Sequence, residues 1–163
     1  MLTPGWYLPD ADWFAQLSDA PQPPGDVLAA LDQLAALFRD DPAFGPAQTV
    51  AATHVILLGA EHLGDTLTHA PESLNVTEVV RLLSGLNVVV AHLTQTIQRL
   101  AGHTNDRTLP GLQRAPDNAV QALASHLSTA GTSGEIVAGH LKQAHLILRC
   151  GTADQLLNGA RNP

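Results

Sequence analysis

Hydrophobic positions recur at spacings of three and four along most of the chain, and the longest unbroken run is Val76, Val79, Leu83, Leu86, Val90, Leu93, Ile97 and Leu100. This alternation keeps one stripe of an α-helix facing a partner helix. The segment therefore reads as a long central helix. β-branched residues with Leu83 at one core position, and mostly Leu at the other, match a parallel two-stranded coiled coil. Val80, Leu82 and Val89 widen the stripe, which suits burial among several helices of one bundle better. The opposite positions are Arg81, Gly85, Val88, His92, Gln95 and Arg99, a face expected in water with a small gap at Gly85 and Val88.

The same periodicity places further helices on either side. Asp26 caps a helix carrying Val27, Leu31, Leu34 and Phe38, which stops near Arg39 ahead of Asp41-Pro42. Pro46 opens a second helix whose seam is Ile56, Ala60, Leu63 and Leu67, ending near Ala70-Pro71. Gly59 and Gly64 disfavour helix by about 1 kcal/mol each against Ala, so they are expected where helices approach closely. Asn75 with Glu78 forms a capping box for the central helix, and a polar loop over 103–115 follows it. Val120, Leu123, Leu127 and Ala130 then predict a helix ending at a turn, Gly131-Thr132-Ser133-Gly134. Thr132 and Glu135 form a second capping box, opening a last helix with Val137, Leu141, Ala144 and Leu148 that ends near Cys150-Gly151. No segment shows the period-two alternation of a strand.

The predicted fold is all-α: an up-and-down antiparallel bundle of four to five helices over 26–151, with a short turn and tail over 152–163. Residues 1–25 form an N-terminal arm interrupted by Pro4, Pro9, Pro21, Pro23 and Pro24. The arm carries Trp6, Tyr7, Trp13 and Phe14, large anchors suited to a groove on a partner or on the chain's own bundle. With Val88 these residues make the candidate interface.

Composition narrows the function. Only 14% of the 163 residues are charged, and eight Lys+Arg against fifteen Asp+Glu leave a net charge of −7. Nucleic-acid tracking and anionic membranes are disfavoured, since both need many basic contacts. No uninterrupted apolar run approaches the roughly 18 residues of a membrane span. The single Cys150 cannot form an intrachain disulfide, and a cytoplasmic location is expected.

Eight histidines supply most of the candidate chemistry: His54, His62, His69, His92, His103, His126, His140 and His145. In an antiparallel bundle His54 and His92 would fall at one height, and His126 and His140 would lie within a turn of each other, making these four the candidate metal ligands. All but His103, in the polar loop, flank or oppose the predicted seams, and the Glu-x-x-His and His-Glu-x-x-His signatures of helical metal sites are missing. Asp65 and His69 are four apart, the spacing of a surface pair or of a carboxylate orienting a base. Cys150, beside His145 and Arg149, lies near a predicted helix C-terminus, where the dipole opposes thiolate formation. The 131–134 turn lacks the Gly-Lys-Ser/Thr of a phosphate loop. No catalytic residues and no cofactor are assigned. The reading is a non-enzymatic helical interaction protein, a homo-oligomer or an adaptor in an assembly. The alternative is a small-molecule- or metal-binding bundle using histidines on adjacent helices.

Overall fold

The computed structural model describes residues 24–39 and 45–159. Four α-helices follow one another: α1 (Gly25–Arg39), α2 (Pro46–His69), α3 (Val76–Asn105) and α4 (Asp117–Gly159). Short 3₁₀ turns at Pro71–Ser73 and Leu112–Arg114 lie in the connections, and no strand occurs among the described residues. The chain is all-α. It divides into two units, one spanning residues 19–75 with α1 and α2, the other holding α3 and α4.

Helices α3 and α4 form an antiparallel hairpin. Its connection is built by hydrogen bonds local in sequence. Arg107 takes a left-handed conformation (φ 53°) just past the end of α3. The Arg107 N–H donates to the Thr104 carbonyl and the Thr108 N–H to the His103 carbonyl. That pair of bonds is the Schellman closure of a helix end. Gln113 Nε2 donates to the Arg107 carbonyl at 2.8 Å, and the Arg107 guanidinium pairs with Asp117 in the first turn of α4. Gly111 supplies a second left-handed position (φ 93°). The polar loop expected over 103–115 thus exists, displaced to 106–116 by the extra turn of α3.

Helix α4 corrects the expected turn at 131–134. It runs unbroken for 43 residues. Thr132 Oγ1 donates to the Ser128 carbonyl and Ser133 Oγ to the Thr129 carbonyl, bonds made by residues inside a helix rather than at a cap. The reason lies in the seam that faces α3: Val120, Ala124, Leu127, Gly131, Gly134, Ala138, Leu141, His145 and Leu148. Spaced alternately by four and three, these positions are all buried or half-buried. Gly131 and Gly134 are members of this seam. A Cβ on Gly131 would lie 2.8 Å from Gln98 Cγ, and one on Gly134 would run into Thr94 Oγ1. The glycines are where α3 comes closest. Gly59 and Gly64, expected to play that part, have open space beside them.

Helix α3 carries a second correction. Its buried residues are Val80, Ser84, Gly85, Asn87, Ala91, Thr94, Ala101 and Thr104; six of them lie one residue beyond the apolar run, and Gly85, expected on a face in water, is buried beside them. One residue is a rotation of about 100° around the helix. The hairpin therefore buries small and polar side chains, and the large apolar run lies on its flank. Small residues let the two backbones approach and let many weak contacts form along the whole seam.

Helices α1 and α2 bury little. No residue of α2 is buried, and Leu34 and Ala35 are the only half-buried positions described on α1. Leu31, Val50, Leu57 and Leu58 are each about half exposed or more.

Candidate functional site

The hairpin has two flanks of opposite character. In antiparallel helices the positions just before the seam lie on one side of the pair, and those just after it on the other. After the seam come Arg81, Val88, His92 and Arg99 of α3, and Gln121, Ser128, Thr132, Glu135, Lys142 and Arg149 of α4. Gln98 Nε2 donates to Glu135 Oε1 across this flank at 2.6 Å. Toward the loop the flank opens into a groove of about 600 Å³, lined by residues including Gln98, Asn105, Gln121, Ser125, Ser128 and Thr132. Amides and hydroxyls could hold an uncharged polar molecule there, but the lining has no titratable group for proton transfer.

Before the seam lies the apolar run itself, Val76 to Leu100, facing the same way as Ala119, Leu123, His126, Ala130, Ser133, Val137, His140, Ala144 and Ile147 of α4. Not one of these positions is Asp, Glu, Lys or Arg. Among the residues whose burial is described, eight large apolar side chains of the hairpin are exposed, and six of them fall here: Val76, Leu93, Leu100, Leu123, Val137 and Ile147. Their exposures run from 37% for Leu93 to 70% for Ile147. A face whose exposed positions are mostly large and apolar marks a contact site more often than a bare surface.

Two reciprocal hydrogen bonds set the register that builds this flank. Asn87 Nδ2 on α3 donates to the Ala138 carbonyl of α4 at 2.6 Å. His145 Nδ1 on α4 lies 3.0 Å from the Val80 carbonyl of α3. A carbonyl only accepts, so Nδ1 carries the proton and Nε2 is the ring's second polar atom. That Nε2 is buried without a hydrogen-bond partner, as are Ser84 Oγ and Thr104 Oγ1. A slip of one seam position would break both cross-helix bonds and leave more polar atoms unpaired, which is costly in a desolvated seam.

The other sequence candidates separate. Trp6, Tyr7, Trp13 and Phe14 lie outside the described residues. Val88 is half-buried on the polar flank, away from the apolar one. His54 is exposed on α2, His92 on α3, and His126 and His140 on α4. Because α4 is continuous, His126 and His140 stand about 21 Å apart along one axis rather than across a helix pair. No group of three or more His, Cys, Asp or Glu is placed to hold a metal among the described residues. Cys150 is free and exposed within α4, not at its C-terminus, so the expected dipole effect does not apply. His145, expected at a boundary, is 4% exposed and part of the seam.

Helix α3 is also long and apolar enough, by length and composition, to cross a membrane. Its apolarity is one-sided, however: the opposite flank carries Arg81, His92 and Arg99, and the seam between carries Ser84, Asn87 and Thr94. No family model, curated protein or solved structure matches the chain.

Proposed function

We propose that this protein works by association: a non-enzymatic helical module whose α3–α4 hairpin presents a charge-free apolar flank to another polypeptide, as an oligomer or an assembly component. The observation that carries this reading is the rotation of the seam. The strongest heptad run in the sequence lies beside the seam rather than in it, with Val76, Leu93 and Leu100 exposed and the other five residues half-buried, while small and polar residues are spent on holding the hairpin together. The apolar residues exposed on α1 and α2 add to the surface available for burial. The up-and-down bundle expected from the sequence then belongs to the assembly, and a cytoplasmic location fits a lone exposed thiol.

The test is the mass of the protein in an extract of its own cells, beside a double variant, Leu93→Glu with Val137→Glu. The wild type is expected in a particle heavier than the 17.1 kDa chain. The variant is expected at the mass of one chain with its helical circular dichroism retained. A wild type that migrates as a single chain overturns the reading.

A further inference from the structure

We infer that the occupant of the apolar flank is a second copy of this chain, docked hairpin to hairpin about a two-fold axis parallel to the helices; the inference rests on the association reading above. In this arrangement each α3 lies over the α4 of the other copy and antiparallel to it. Four helices result, each with two antiparallel neighbours.

Three observations on the hairpin support this occupant. The first is angular. In a square four-helix bundle a helix meets its two neighbours at directions about 90° apart. The buried seam of α3 and its apolar run are offset by one residue, about 100°. One stripe serves α4 of the same chain, and the other is aimed where the α4 of a second copy would lie. The second is shape. The α3 stripe is all Val, Leu and Ile, whereas the matching stripe of α4 includes Ala119, Ala130, Ser133 and Ala144. The two-fold axis sets a ridge of large residues over a stripe in which small residues are interspersed among large ones, twice over, which is the self-complementarity an isologous interface needs.

The third is charge and area. Each chain carries −7, so two copies repel unless their contact excludes that charge. The flank has no acidic or basic residue, and its two histidines, His126 and His140, lie at its outer edge. Helix α3 has 30 residues and is therefore about 45 Å long. The apolar run from Val76 to Leu100 takes up about 36 Å of that length, and a two-helix face about 20 Å wide then offers roughly 700 Å² per chain, close to the roughly 800 Å² per partner of a standard stable interface.

The experiment uses the purified full chain alone. Its mass by sedimentation at micromolar concentration is expected to be twice the 17.1 kDa of one chain. Contact geometry is read by mixing a Leu93→Cys chain with a Ser133→Cys chain, both with Cys150→Ser, under mild oxidation. Residue 93 of one copy and 133 of the other lie at one height, so a mixed disulfide dimer is expected from the mixture and much less from either chain alone. A double-mass particle that cross-links only 93 to 93 overturns the proposed arrangement. A purified chain that stays at 17.1 kDa while running heavier in its own cell extract overturns the second-copy proposal alone, since association then needs a different polypeptide. A single-chain mass in both settings overturns the association reading as well.

Discussion

Gly134 and Gly131 differ in what stands opposite them. In a helix interior Ala is ordinarily favoured over Gly by about 1 kcal/mol. A methyl group on Gly134 would meet Thr94, a β-branched side chain pinned by its 2.7 Å bond from Oγ1 to the Val90 carbonyl. Overpacking at such a site costs about 1–3 kcal/mol, which outweighs the propensity gain. Gly134→Ala is therefore expected to destabilise the hairpin by about 1–2 kcal/mol in a denaturant titration, and Thr94→Ala to recover part of that loss in the double variant. A methyl group on Gly131 meets Gln98 at Cγ, whose shift would disturb its bond to Glu135, so Gly131→Ala is expected to destabilise, but by less than Gly134→Ala. Asn87→Ala leaves a buried void and removes the bond to the Ala138 carbonyl, for an expected loss of about 1–3 kcal/mol. These residues were hard to find in the sequence for a physical reason. Glycine, serine, threonine and asparagine are turn formers in isolation, and only the close approach of a second helix makes them core.

At the scale of the element, the sequence showed the helices more clearly than their joints and faces. The starts of α2 at Pro46 and of α3 at Val76 fall where the sequence signals placed them, a Pro at the first helical position and an Asn with Glu three residues on, both written in a few adjacent residues. The continuity of α4 depends on a seam that runs through 131–134, and local turn signals there point the other way. Thr132 decides between the two descriptions. As an N-cap its replacement by Ala would cost about 1 kcal/mol. Inside a helix, with its hydroxyl turned back to the Ser128 carbonyl, Thr132→Ala is expected to be neutral or stabilising by a few tenths of a kcal/mol. The sign of the change in a thermal melt is the measurement. The apolar period of α3 was likewise legible from sequence, and its facing was not. Periodicity reports that a stripe exists, whereas the choice of stripe for the partner α4 depends on which residues are small enough for close approach. Helices α1 and α2 illustrate the opposite limit, clear periodicity with little burial. Their amides are expected to exchange with solvent orders of magnitude faster than those in the middle of α3 and α4, as hydrogen-exchange mass spectrometry would read.

For the whole molecule the decisive quantity is the stability that the proposed association would add. Any process that occurs only in the folded state raises stability by mass action, so the melting temperature of a self-associating protein climbs with its concentration. The wild-type chain is expected to show that climb between about 1 and 100 μM, as a folded dimer linked to unfolded monomers requires. Leu93 separates this contribution from the hairpin's own. It is 37% exposed and lies outside the α3–α4 seam, so in a lone chain Leu93→Glu gives up part of its apolar burial and lowers stability by a fixed amount of about 1 kcal/mol at every concentration. In the paired state the same change buries two carboxylates among apolar side chains, a penalty of several kcal/mol that association would have to overcome. The variant is therefore expected to melt at a concentration-independent temperature, somewhat below that of the dilute wild type. Ser128→Glu, on the polar flank, adds the same charge and is expected to keep the climb. If both substitutions abolish it, net charge rather than the apolar flank controls association. If neither does, the contact lies elsewhere on the chain. Loss at Leu93 alone assigns the contact to the stripe that the hairpin leaves open.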